Sequence, residues 1–209
     1  MKNIIAITAC LKRCSIAISY DGKILQKNED VDAAANLAFL TQRLFEENEI
    51  DVRGIEGVIT ASGPGSFTGI RTAQSFAKAI AFSLEAPSAS VSYFEVADRL
   101  KGNRNQNRLI ALKADKNQVY FKKICKENCK GDIDKYVGIS SYENIQKIAD
   151  INSEIMLIGD AIDEVLSHIA DYVIDFQKIE DIKNAANLLN LEDRITETSV
   201  IQPLYINLM

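Results

Sequence analysis

The apolar residues of this 209-residue chain recur with two different periods, and the periods alternate along it. That alternation restricts the chain to folds in which strands and helices share a core. Residues 3–9 (NIIAITA) form a continuous apolar run, as a fully covered strand gives, and residues 15–20 (SIAISY) alternate as a half-exposed strand does. Asp21-Gly22 is a hairpin-turn pair, and residues 23–26 open a third strand. Over 33–47 the period changes. Leu37, Leu40 and Leu44 make one stripe with Ala38, Thr41 and Phe45 beside it, which predicts a helix with Asp32 as its N-cap. A strand at 57–61, a helix at 68–84, a short strand at 87–91 and a helix at 93–100 follow.

The polar stretch KGNRNQNR (101–108) reads as a linker. It places a boundary between a first unit, 1–102, and a second, 103–209. The second half offers a strand pair (109–114 and 119–124) around a turn at Lys116-Asn117. A helix (141–149), a strand (155–158), a helix (161–169), a short strand near 172–174 and a helix (183–191) complete it. Each half begins with antiparallel strands and continues as alternating helix and strand, an α/β pattern, yet no repeat is visible between them.

Hydrophobic residues are 47% of the chain and charged residues 25%. At this length about 70% of the unfolded surface is buried on folding, so no metal or disulfide staple is required. There is no basic-then-apolar leader and no apolar run near the ~18–20 residues of a membrane span. The expectation is a cytoplasmic protein with reduced thiols. The cysteines fall in two C-x-x-x-C pairs, Cys10/Cys14 and Cys125/Cys129, which together could supply four zinc ligands but sit in surroundings typical of strands and loops. The charge is uneven. Residues 99–130 carry net +8 against −13 for the remainder, which suits a footprint for an anionic partner or, at least as well, a solvated loop and hairpin.

The stretch ASGPGSFTGIR (61–71) holds three glycines between a strand and a helix. It is not a P-loop, because Gly69 is followed by Ile70-Arg71 rather than Lys-Ser/Thr, and it misses the dinucleotide fingerprint by one residue. Ser66 lacks the flanking glycines of a hydrolase elbow. Pro64-Gly65 suits a type II turn, Ser66 or Thr68 can cap the helix, and exposed amides at a helix start attract an anion. Gly63, Gly65, Ser66, Thr68 and Gly69 are therefore the candidate anion turn, although shaping the chain is the stronger reading. Elsewhere chemistry is sparse. His168 is the only histidine and no motif surrounds it, while Glu46/Glu47 and Asp160/Asp163/Glu164 read as solvated helix faces.

GPGSFTGIRTAQSFAKAIAF, followed by a short strand and VSYFEVAD, closely resembles the signature of the TsaB (YeaZ) family: GPGSFTG-[LIV]-R, a small-residue helix, then VSSLEALA. IIAITACLKRCSIAISYDGKIL resembles its first hairpin, ALKADKNQVYF its central hairpin and QPLYINL its C-terminal end, with 125–200 matching loosely. The resemblance implies an actin/Hsp70-like (ASKHA) fold of two related subdomains, each a mixed sheet with helices. It implies a part in making N6-threonylcarbamoyladenosine at position 37 of tRNAs that read ANN codons. In that family the protein is a non-catalytic partner of the transferase TsaD, assembles with the ATPase TsaE, and pairs with itself when alone.

The departures from the family pattern favour a role without chemistry of its own. Ile7-Thr8-Ala9 stands where relatives read Ile-Asp-Thr, and Lys113-Ala114-Asp115 where they read Asp-Ala-Arg. Magnesium requires oxygen ligands, and neither hairpin offers a carboxylate at the expected place. Residues 32–37 lack the histidines with which TsaD relatives bind metal, and no cofactor or metal is expected. Function should then lie on a surface. The resemblance points to the helices at 33–47 and 68–84, with Leu37, Leu40, Thr41, Leu44, Thr72, Ser75, Phe76 and Ala79 as the candidate partner face. The competing readings are an ATP-dependent kinase of the same fold, a metallopeptidase-like hydrolase and a tRNA-binding module that uses the basic 99–130 segment.

Overall fold

The computed structural model describes residues 3–10, 13–29, 33–100, 106–115, 117–125, 137–179, 182, 184–196, 201–202 and 204. The chain forms two compact units, one of Met1–Val96 with Lys183–Leu204 and one centred on Ala97–Ile182.

The first unit is built on a five-stranded sheet of order β3-β2-β1-β4-β5: β1 (Ile4–Cys10), β2 (Arg13–Tyr20), β3 (Lys23–Glu29), β4 (Gly57–Gly63) and β5 (Ser88–Ser92). β1, β2 and β3 pair antiparallel, whereas β4 and β5 run parallel to β1. The β2–β3 hairpin closes across Tyr20 and Lys23 through Asp21 (φ 47°) and Gly22 (φ 79°), the left-handed pair that matches strand twist in a two-residue turn. Two helices, α1 (Ala33–Glu47) and α2 (Phe67–Ser83), cover one face. Ile5, Ile7, Ile16, Ile18, Leu37, Leu40, Leu44, Ala73 and Ala77 share one buried cluster there.

The opposite face of the same sheet is lined by smaller residues. Ala6, Thr8, Ser15, Ala17 and Ser19 are all at most 2% exposed. The sequence alone reads β2 as half-exposed, because its serines alternate with isoleucines. The structure corrects this: a returning 3-10 run, Ala185–Arg194, lies over the serine side, and Ser15 Oγ accepts from the Ala185 amide at 2.7 Å. Small side chains allow that close approach, and the hydroxyl satisfies a backbone donor that burial would otherwise strand. The same contact moves 183–204 from the second unit, where a cut at 102/103 puts it, onto the first sheet. The run also differs from the α-helix expected at 183–191. Ala185, Leu188 and Leu191 recur every third residue and are all buried, which is the period of a 3-10 turn; Leu191 is kinked at φ −116°.

The second unit repeats the strand order. β6 (Arg108–Asp115), β7 (Gln118–Ile124), β8 (Val137–Ser141), β9 (Ile155–Gly159) and β10 (Val173–Lys178) are arranged β8-β7-β6-β9-β10, with the same antiparallel and parallel pairings as the first sheet. Leu109, Ala111, Phe121, Ile155 and Leu157 form its core with Ile162 and Val165 of α5 (Ile162–Ile169) and Ile145 of α4 (Ile145–Ile148). α3 (Tyr93–Leu100) opens with a capping box. Glu95 Oε2 accepts from the Ser92 amide at 2.9 Å, while Ser92 Oγ accepts from the Glu95 amide at 3.1 Å.

Several expectations change in detail. The helix anticipated at 141–149 is a 3-10 turn, Tyr142–Asn144, followed by the single turn of α4. The strand near 172–174 extends to Lys178, and β8 has no counterpart in the sequence reading. Asp32 as N-cap, residues 101–105 of the linker, Lys116 of the turn and 205–209 of the C-terminal match lie outside the described residues.

α2 lies unusually close to β1. A Cβ built on Gly69 would stand 2.2 Å from the Ala9 carbonyl oxygen, so only glycine fits without moving the helix. Gly69→Ala is therefore expected to destabilise the protein by about 1–3 kcal/mol. That loss should exceed the roughly 0.5–1 kcal/mol that alanine gains over glycine inside a helix. A urea-denaturation midpoint at or above wild type would contradict the close approach.

Candidate functional site

The GPGSFTG turn joins β4 to α2. The Gly63–Pro64 bond is cis, Gly63 carries φ 112° and Gly65 is extended at φ 158°. This corrects the type II turn expected at Pro64-Gly65: the left-handed residue is Gly63, two positions before the Gly65 that such a turn would use. Ser66 is the N-cap, its Oγ accepting from the Gly69 amide at 3.4 Å and its carbonyl from the Ile70 amide at 2.9 Å. Thr68 is exposed. From behind, the Leu204 amide donates to the Ser62 carbonyl at 2.7 Å, and the Leu204 carbonyl would lie 3.3 Å from any Cβ on Gly63. Gln202 is tied to Ser90 Oγ through its amide (2.9 Å) and its carbonyl (3.0 Å), and that carbonyl also accepts from the Gln74 side-chain amide at 3.1 Å. Of the five candidate anion residues, Ser66 thus serves as a cap and Gly63 and Gly69 answer to steric demands of the turn.

Position 8 is closed. Thr8 is 1% exposed, and its hydroxyl is hydrogen-bonded to that of Tyr93, which is 0% exposed. Tyr93 reads in the sequence only as the start of a helix. Its partner lies 85 residues away on β1, so nothing local signals the pairing.

Position 113 is occupied differently. Lys113 donates its amide to Asp160 Oδ1 at 2.7 Å and pairs its ammonium with Glu164 at 2.6 Å. The Glu164 carboxylate beside it raises the Lys113 pKa above the ordinary lysine value, against a smaller opposing effect of burial. Burial, then Glu164 and Asp160, raises the Tyr142 phenol. Asp160 and Glu164 are therefore half-buried partners of Lys113, rather than solvated positions of a helix face. Asp163 is exposed and pairs with Lys178 at 2.6 Å, which lowers its pKa.

The other expected features divide as follows. His168 is exposed in the last turn of α5. Cys125 is disulfide-bonded, so the reduced-thiol expectation fails there, and a disulfide leaves no thiolate for zinc; Cys14 is buried and outside any disulfide. Within the basic segment, Arg108 is 5% exposed and binds Asp98 at 2.7 Å, Lys113 holds Glu164, and Lys123 donates to the Asp150 carbonyl. Part of the +8 charge is thus neutralised or engaged inside its own unit.

The two helices sort the expected partner face. Leu37, Leu40, Thr41 and Leu44 are 0–8% exposed and face the sheet, so they belong to the chain's own core. The Thr41 hydroxyl donates to the Leu37 carbonyl at 2.7 Å. Thr72 and Phe76 are half-buried, while Ser75 and Ala79 are exposed. Two aromatics outside the expected set project further: Phe39 is 53% exposed and Phe82 is 87% exposed. Helical wheels that set Leu37–Leu40–Leu44 of α1 and Ile70–Ala73–Ala77 of α2 against the sheet would have marked both as outward.

The repeated strand order and the helices on each sheet define a two-subdomain α/β protein of the actin-like (ASKHA) fold. YeaZ from Pseudomonas aeruginosa superposes with a TM-score of 0.69 at 17% identity, over 99% of this chain and 100% of that one. Residues 32–179 match the family model described as TsaD, tRNA N6-adenosine threonylcarbamoyltransferase. The Buchnera aphidicola (subsp. Acyrthosiphon pisum) protein named tRNA threonylcarbamoyladenosine biosynthesis protein TsaB is 27% identical over 203 residues, 93% of this chain and 88% of that protein. The Haemophilus influenzae protein of the same name is 23% identical over 137 residues, 64% of this chain but 58% of that protein's length. The chain belongs to the TsaB (YeaZ) family.

The Thr8–Tyr93 pair is open to direct measurement. Thr8→Val is expected to cost about 0.5–1.5 kcal/mol. A double-mutant cycle with Tyr93→Phe, followed by chemical denaturation, should give a coupling of about 1 kcal/mol. Additive losses would show that the two hydroxyls do not interact.

Proposed function

We propose that this chain is a non-catalytic subunit of the machinery that makes N6-threonylcarbamoyladenosine at tRNA position 37, and that it binds and activates a TsaD-like transferase together with a TsaE-like ATPase. The observation that carries the reading is position 8. Where relatives place an acid that would orient metal-phosphate water, this chain buries a threonine hydroxyl against Tyr93. At the corresponding place in the second unit the cation is the protein's own, Lys113, held by Glu164. An ammonium at that place cannot coordinate a magnesium ion, which requires oxygen ligands, and it repels the bare cation.

Docking then falls to the outer side of α1 and α2. Ser75 and Ala79 are small and exposed, with Thr72 and Phe76 beside them and Phe39 and Phe82 projecting as aromatic anchors. Small residues permit close helix packing, and exposed aromatics supply the buried centre on which binding energy concentrates. The same face pairs with a second copy when the transferase is absent. The setting is cytoplasmic, where tRNA is modified. Among the described residues no helix is long and apolar enough to cross a membrane.

Reconstitution tests this reading. The chain, its organism's TsaD and TsaE proteins, tRNA and threonylcarbamoyl-AMP are combined, each protein is omitted in turn, and modified nucleoside is measured. Omitting this chain should abolish or strongly reduce product, and the chain alone should make none. Thr72→Arg with Phe76→Asp should prevent copurification with TsaD while the fold, read by circular dichroism, persists. Magnesium-dependent ATP binding by the isolated chain in calorimetry would instead support the kinase reading.

A further inference from the structure

β4 and β5 pair through Ala61 with Val91 and Gly63 with Ser92, and Ser62 falls at the bulge between those pairs. Ser62 is 7% exposed, and its carbonyl accepts from the Leu204 amide at 2.7 Å. A segment more than a hundred residues away in sequence therefore closes the bulge. Gln202, two residues earlier, reaches two more elements. Ser90 Oγ on β5 accepts from the Gln202 amide at 2.9 Å and donates to the Gln202 carbonyl at 3.0 Å. The same carbonyl accepts from Gln74 Nε2 on α2 at 3.1 Å. Gln74 is buried, and its Nε2 also donates to the Ala61 carbonyl at 3.3 Å. A Cβ on Gly63 would stand 2.9 Å from Ile70 Cδ1 and 3.3 Å from the Leu204 carbonyl, so α2 and this segment pack against the same residue of the turn. Ile201 anchors the segment in the core of the first unit.

We infer that Gln202 and Leu204 form a latch on the start of α2. Closed, the latch ties the β4 bulge, the glycine turn and Gln74 into one unit. Open, it releases all three together. The two bonds between Gln202 and Ser90 lie at the surface, where water competes for them, so the latch opens more readily than the sheet behind it. Gln74 and Ser90 are its positioning residues. Gln74 is buried, so it acts through the placement of α2 rather than by touching a partner. The functional half of the inference rests on the docking reading above. The partner binds the closed form more tightly, because binding to the open form must also order the first turns of α2. By linkage, partner binding closes the latch by the same factor.

The test uses the full chain and the TsaD protein of the same organism. Hydrogen exchange read by mass spectrometry measures local opening, urea denaturation measures the global fold, and calorimetry measures docking. Leu204→Pro removes the amide that reaches Ser62. Ser90→Ala with Gln74→Met removes the partners of Gln202 while leaving the segment intact. Each variant should speed exchange over residues 61–74 about tenfold or more, with exchange in β1, β2 and β3 unchanged. Saturating TsaD should slow exchange over the same residues of the wild-type chain about fivefold or more. The combination of all three substitutions, in which the open form predominates, should bind TsaD more weakly by the same factor. If neither variant speeds exchange over 61–74, or if exchange rises equally in β1, β2 and β3, the latch is overturned. If the latch opens as expected but TsaD binds wild type and the combined variant alike, docking stands and its coupling to the latch is overturned. If the wild-type chain does not bind TsaD, the docking reading falls, and the exchange of the variants decides the latch by itself.

Discussion

The contact on which the first unit turns is the approach of α2 to β1. Gly69 lets the helix backbone reach the Ala9 carbonyl, and the turn before it is shaped so that the helix arrives there. Gly63 takes a left-handed φ at the end of β4, Ser66 ends the turn as the helix cap, and the Leu204 backbone closes it from behind. The glycines thus supply a trajectory. Once α2 is fixed at its start, its buried side is set by Ile70, Ala73 and Ala77, and its other side is necessarily presented outward. The second unit uses a comparable device: Gly159, at the end of β9, has φ 141°, and a Cβ there would stand 1.9 Å from the Ala111 carbonyl oxygen of β6.

Two surfaces of one sheet show how composition selects a partner layer. Isoleucines and leucines on one face of β1 and β2 meet the broad apolar sides of α1 and α2. Alanine, serine and threonine beside Ile4 on the other face let a backbone come close, as the 3-10 run does at Ser15. Several polar atoms there are engaged, while the buried Ser19 Oγ has no hydrogen-bond partner among the described residues. Ser15 serves the Ala185 amide and bonds Asn28 on β3. The Arg194–Glu95 pair at 2.7 Å joins the run to the capping box of α3. A buried polar layer of this kind is useful only when its members are satisfied, which ties the identity of the face to the segment that covers it.

Much of the fold was legible because its periods are strong. The Asp21-Gly22 turn, the Leu37–Leu44 stripe and the run that becomes β4 each carry a local signal that tertiary structure did not override. The duplicated strand order was not legible. A sheet demands apolar residues at alternate positions, and many different residues meet that demand, so two copies can share topology without sharing letters. β8 (VGISS) escaped because it has neither alternation nor a flanking turn pair. The last run was misread because its three-residue spacing resembles an α-helical stripe over so short a length.

The candidate site shows a sharper limit. The sequence exposed the absence of acids at positions 8 and 113, because absence can be read from letters. It did not reveal what takes their place, since Tyr93 lies 85 residues from Thr8 and Asp160 lies 47 from Lys113. The replacements matter more than the losses. A missing carboxylate alone would leave a position open, whereas here the Thr8 hydroxyl is engaged by Tyr93 and the Lys113 ammonium by Glu164. On the outward helix face the limit ran the other way. Leucine spacing was visible, but a leucine stripe suits a core as well as an interface, and only the fold decides which. The residues left facing outward are those that the sheet had no use for.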